Sequence, residues 1–93
     1  MAKLYKTDGS IVEVNPKNAR KGFQLQELYD LIKCDCIDIK NYAEGKCFVC
    51  DDEGLLKPNP VRNEAANLVI LNETGDYWGL VGNVLICANS DIK

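Results

Sequence analysis

The 93 residues include five cysteines and no histidine, and 11 Lys and Arg stand against 14 Asp and Glu for a formal net charge of −3. A chain of this length builds one small domain with a thin core, which favours shallow sites and partner surfaces over a deep enclosed pocket. Without histidine there is no Ser-His or Cys-His nucleophile pair, no imidazole metal ligand, and no side chain that ordinarily titrates near neutrality.

At 46% hydrophobic and 27% charged residues, the composition is that of a folded globular domain, outside the regime of disorder. The first residues run straight into turn formers, where an export signal would place an apolar stretch, and no apolar run approaches the roughly 20 residues that cross a bilayer. A soluble, cytoplasmic protein with no membrane contact is expected. Charge is uneven, with five basic residues against two acidic in residues 1–22 and six against twelve in the remainder. The basic segment 16–22 places Lys17, Arg20 and Lys21 within reach of a phosphate, but three charges in a loop are ordinarily just solvated, and the acidic balance disfavours nucleic acid.

In chain order, residues 3–6 and 11–14 are β-rich runs joined through Asp8-Gly9, a strong hairpin signal. Phe23, Leu25, Leu28, Tyr29, Leu31 and Ile32 recur every three or four residues, which predicts an amphipathic helix over 23–33. Residues 36–40 and 46–50 flank a five-residue segment with Gly45 and predict a second hairpin, closed by a polar turn at 51–54. Asn59-Pro60 reads as a helix start, with Asn capping and Pro in the first turn. Ala65, Leu68, Val69 and Asn72 would trace its buried face, ending near Gly75. Residues 82–87 are apolar almost throughout, which suits a central strand covered on both faces. The order ββ-α-ββ-α-β predicts one α+β domain over 1–93: a small, mainly antiparallel sheet with helices segregated to one face, its first half β-grasp-like.

The cysteines form the only constellation that resembles site chemistry. Four thiolates at Cys34, Cys36, Cys47 and Cys50 would suit a tetrahedral zinc ion. Against this, Cys34 and Cys36 are separated by a single residue, and Cys47 and Cys50 lie three apart in a predicted strand, so they point to opposite faces. A redox pair would place its first cysteine at a helix N-terminus, which Cys47 does not occupy. The favoured reading is that the cysteines, Cys87 included, serve as small apolar residues, with no cofactor. The carboxylates Asp51, Asp52 and Glu53, with Asp35, Asp38 and Glu44, lack the spacing of a calcium loop and read as solvated turns. Gly75, Gly79 and Gly82 bracket Tyr77 and Trp78 without the context of a phosphate loop. Tyr77 and Trp78, with Tyr42 in another loop, are candidates for an aromatic partner surface. The alternative is that Trp78 covers the core.

The segment 3–14 followed by Pro16, Lys17 and Asn18, the run Phe23 to Leu28, Asp52 to Gly54, Pro60 and Val61 with Asn63 to Ala65, and residues 81–87 together resemble an uncharacterised bacterial and phage family, domain of unknown function 3846. The resemblance implies a small accessory protein of mobile genetic elements, phages, plasmids or conjugative elements, and brings no activity or site residues. Cys34-Asp35-Cys36 and Cys47 depart from the family pattern, which would mean either a metal site peculiar to this protein or, as the favoured reading, drift among small residues. The leading expectation is therefore a non-enzymatic protein that binds a host protein, in an oligomeric state the sequence does not specify. A small-ligand or nucleotide-binding module is the alternative, and a zinc-stabilised domain with four cysteine ligands stands behind it.

Overall fold

The computed structural model describes residues 2–18, 20–34, 36–52 and 60–92. Its elements are β1 (Ala2–Tyr5), β2 (Ile11–Val14), α1 (Leu25–Ile32), β3 (Ile37–Ala43), β4 (Lys46–Asp51), α2 (Glu64–Thr74) and β5 (Val84–Ala88). The fold is α+β: one five-stranded sheet in the order β2-β1-β5-β4-β3, antiparallel at every junction. The hairpin β1-β2 closes where expected. The Asp8 carboxylate accepts from the Ser10 amide at 2.8 Å and from its hydroxyl at 2.6 Å, a local bond that sets the turn and holds the Asp8 carboxyl below its ordinary range.

The last strand is the middle of the sheet. β5 pairs with β1 through Leu4↔Leu85 and with β4 through Val49↔Leu85, the central place that its near-continuous apolar run implied. Val84 and Leu85 are fully buried but belong to different clusters, because successive side chains on a strand point to opposite faces.

This alternation corrects one expectation. The helices are not segregated to one face but cover one face each. On the first face α1 contributes Leu28 and Ile32 to a cluster with Ala2, Leu4, Phe23, Cys47, Val49, Leu85 and Cys87. On the second, α2 contributes Ala66 and Ile70 to a cluster with Tyr5, Phe48, Cys50 and Val84. With β4 and β5 apolar at nearly every position, both faces of the central strands need cover, and one helix reaches only one of them. Each enclosed Leu, Ile, Phe or Val side chain contributes roughly 1.5–3 kcal/mol by leaving water.

Element boundaries move for local reasons. Helix α1 begins two residues later than predicted, since Gln24 is extended and forms a capping box with Glu27, and it ends at Lys33, which adopts the left-handed conformation at φ 62°. The second hairpin is tighter than predicted, because β3 runs on to Ala43 and leaves only Glu44 and Gly45 in the turn. Of the polar turn expected at 51–54, Glu53 and Gly54 lie outside the described residues. The expected helix start at Asn59 lies outside them too, but Pro60 and Val61 are not helical. Helix α2 instead starts at Glu64 behind Asn63, whose side chain accepts from the Ala66 amide. Its end matches expectation: Gly75 takes φ 81° and returns its amide to the Leu71 carbonyl, a conformation that favours glycine.

Candidate functional site

The buried face of α2 differs from the predicted one, and the difference builds the site. Leu68 is exposed and Asn72 faces water, while Asn63 and Asn67, one helical turn apart, are enclosed with Ala66 and Ile70. A buried amide must be bonded, and these two spend their bonds chiefly on the segment that follows the helix. Asn67 donates to the Leu80 carbonyl at 3.1 Å and accepts from the Leu80 amide at 2.7 Å. Asn63 donates to the carbonyls of Tyr5 and Gly82, both at 2.8 Å, and its backbone amide donates to the Leu80 carbonyl at 2.9 Å. The segment 76–82 is thereby clamped to α2 and to β1.

The clamp fixes Trp78. Its ring stands edge-on to the buried Phe48 ring at 5.3 Å between centroids, and Lys40 Nζ lies 5.6 Å from its centre. It is nonetheless 42% exposed, so it both covers the core and faces solvent. Gly79 follows at φ 68°, turning the chain so that Trp78 folds back over the sheet. Beneath the indole a groove of about 180 Å³ is floored by Phe48 and Cys50, with Asp38, Asp51 and Asp52 on its rim beside Lys40. Lys40 Nζ and Asp38 Oδ2 are 3.6 Å apart, which leaves the rim with an acidic excess.

The other sequence candidates are placed differently. Tyr77 is exposed next to Trp78, donates its hydroxyl to Glu64 at 3.2 Å, and lies under Arg62, whose guanidinium carbon is 5.9 Å from the ring centre. Tyr42 does not join them at the surface. It is half-buried on β3, its ring tilted against Phe48 at 5.9 Å and its hydroxyl enclosed. Phe48 thus lies between Tyr42 and Trp78, a link invisible in the sequence. Lys17, Arg20 and Lys21 are exposed in a turn organised by Asn18, whose side chain accepts from the Arg20 amide at 3.0 Å and the Lys21 amide at 3.3 Å.

The four-cysteine zinc set does not gather. Cys47 lies in the α1-side cluster and Cys50 in the α2-side cluster, on opposite faces of β4. Cys47 instead meets Cys87, its register partner on β5, at 3.7 Å between sulfurs, and the Cys34 thiol donates to the Cys36 carbonyl at 3.3 Å. Asp35 and Glu53 of the carboxylate set lie outside the described residues, and among those described no group of three or more Cys, Asp or Glu is placed to hold a metal ion. Burial pushes the Cys50 thiol up to about 12, with Asp38 adding to the effect, and raises Cys47 and Cys87 as well. These three are core thiols, poor in the thiolate that nucleophilic or metal chemistry needs. Cys36 departs from the expected apolar role: just ahead of β3 at the sheet edge, it is exposed.

Fold and site together define a small α+β protein with a clamped aromatic shelf over a shallow acidic groove. Residues 4–93 match the family model described as Domain of unknown function (DUF3846). The chain belongs to that family. No curated protein and no solved structure matches it. Among the described residues, no helix is long and apolar enough to cross a membrane.

Proposed function

We propose that this is a non-enzymatic interaction protein that grips a partner protein through the Trp78 groove. The observation that carries the reading is the position of Trp78: the single tryptophan of the chain, partly exposed, yet held edge-on to a buried phenylalanine on a segment clamped by two buried asparagines. Tryptophan held rigidly at a surface loses little entropy on binding and is among the residue types that most often anchor an interface. The acidic rim of Asp38, Asp51 and Asp52 selects a partner segment with an apolar side chain flanked by Lys or Arg. That the partner is a host protein, and the setting a mobile genetic element, belongs to the same proposal and stands on the family resemblance described above.

The test is capture from bacterial lysate by the intact chain, compared with Trp78→Ala and with Leu25→Ala, which removes a comparably exposed apolar side chain from α1. Trp78→Ala is expected to weaken binding of the captured partner by about 30-fold or more, the scale of an interface anchor, with Leu25→Ala unchanged. A partner held equally by both variants would refute the groove as its docking surface.

A further inference from the structure

The second cavity of the α2 face, about 280 Å³ between that helix and the sheet, has its polar groups committed to one another. Lys46 Nζ donates to Glu73 Oε1 at 2.7 Å, and the Tyr42 hydroxyl serves the same carboxylate. The outer edge of β3 is different. β3 ends the sheet on its side, and among the described residues no strand pairs with its outer edge. The Asp52 amide donates to the Cys36 carbonyl at 3.0 Å, one step along the ladder from Ile37↔Asp51. Bonded and non-bonded pairs alternate in an antiparallel ladder, so Ile37, Ile39 and Asn41 turn their amides and carbonyls away from β4. Ile39, Lys40 and Asn41 are exposed, Ile39 to 41%. An exposed edge with an apolar residue at its middle is a template for another strand.

The charges of β3 decide which strand fits. Asp38 and Lys40 flank Ile39 in the chain and share one face of the strand, with Lys40 Nζ 3.6 Å from Asp38 Oδ2. Consider two antiparallel copies of β3. Centring the pair on Asp38 sets aspartate against aspartate, and centring it on Lys40 sets lysine against lysine, both of them repulsive. Centring it on Ile39 sets each Asp38 across from Lys40 of the second copy, so that four charges alternate and each carboxylate gains a second ammonium. Those are non-hydrogen-bonded positions, where side chains approach most closely. Ile39 then exchanges amide and carbonyl bonds with its own counterpart, and Ile37 does so with Asn41. The other edge strand, β2, carries a single charge, Glu13, and has no such match.

We infer that a second copy of this chain docks on β3, in a two-fold antiparallel pair centred on Ile39 that joins the two sheets into one. The symmetry is closed, so assembly stops at the dimer. An antiparallel two-fold runs perpendicular to the sheet, so both Trp78 grooves lie on the same side of it. Asp38 and Lys40 also stand on the groove rim, but the pairing is read on the purified chain alone, and its failure would leave the reading of the groove standing.

Sedimentation velocity of the full chain from about 10 µM to about 1 mM, the range of modest interfaces, is expected to show a monomer–dimer equilibrium. Asp38→Lys and Lys40→Asp, each alone, oppose like charges across the axis and are expected to weaken self-association at least about 10-fold. An equimolar mixture of the two variants restores opposite charges at both positions and is expected to dimerise again, a rescue that a purely structural role for either residue would not produce. In the parent chain, amide exchange of Ile37, Ile39 and Asn41 is expected to slow as concentration rises. A parent chain that stays monomeric throughout the range would overturn the inference. So would a mixture no more associated than its components, particles that grow past the dimer, or concentration-dependent protection at Ile11 and Glu13 of β2 in place of β3.

Discussion

The two faces of the sheet are built on different principles. The α1 face is an apolar seam in which Leu28, Ile32, Leu4, Val49 and Leu85 meet with the small side chains Ala2, Cys47 and Cys87 filling the gaps. The α2 face carries an apolar cluster of its own, but its helix is anchored by buried asparagines, and around it lie a partly exposed tryptophan, two lined cavities and an enclosed tyrosine hydroxyl beside Glu73. One face secures the fold through burial alone, which tolerates exchange among side chains of similar volume. The other uses directional bonds to hold a loop in one place, as a recognition surface requires.

Four substitutions or titrations would break or sharpen that contrast. The largest effect is expected on the α1 face: Leu28→Ala, which empties a fully buried site, should cost about 2–5 kcal/mol in urea unfolding while leaving Trp78 emission of the remaining folded protein unchanged. Next comes Asn67→Ala, which strands the Leu80 amide and leaves the Leu80 carbonyl with only the Asn63 backbone amide. A loss of about 1–3 kcal/mol is expected, now with a red-shifted Trp78 and easier acrylamide quenching, because the clamp on segment 76–82 is loosened. A red shift with Leu28→Ala as well, or none with Asn67→Ala, would erase the distinction between the faces.

The third prediction concerns pH. Cys47, Cys50 and Cys87 are raised from an ordinary value of 9.0, Cys50 to about 12. Above the ordinary value the unfolded chain therefore releases thiol protons that the folded chain retains. Stability should be fully present below about pH 9 and fall as pH rises from there toward about 12, since the unfolded state then binds fewer protons. Urea midpoints measured between about pH 8 and about pH 10 check this, and Cys50→Ala should flatten the decline by about one proton's worth of slope, or about 1.4 kcal/mol per pH unit at most. The smallest effect is expected at Leu68, half-exposed on the outer side of α2: Leu68→Ala should change stability by no more than about 0.5 kcal/mol, whereas the face predicted from spacing alone would make it a core position.

Much of the fold was legible along the chain. The Asp8-Gly9 hairpin, the amphipathic spacing of α1, the Gly45 turn, the Gly75 helix end and the uninterrupted apolar run of β5 are signals written by residues within one element. The candidate site was legible only in part. Trp78 and Tyr77 stood out as aromatics between glycines, but Phe48 beneath Trp78 looked like any strand residue. Asn63 and Asn67 carried a readable sign, two amides spaced four apart beside Ala66 and Ile70. Asparagine in a helix is ordinarily assigned to the solvent side, and the spacing of the apolar residues alone placed the buried face wrongly on Leu68 and Asn72.

By itself, then, the sequence determined the element order, the α+β class, the central place of the last strand and the role of Cys47, Cys50 and Cys87 as small core residues, the first two three apart in a strand and so on opposite faces. All of these follow from short-range periodicity and from burial, which a residue's own chemistry expresses. Only the tertiary structure decided which helix covers which face, which buried amides reach the 76–82 backbone, and that Tyr42, Lys46 and Glu73 meet at one cavity. The amide contacts join residues 13 to 58 positions apart along the chain, and the cavity joins four strands, β1, β5, β4 and β3, to α2. Strand register and helix packing fix those distances, and no local pattern encodes them.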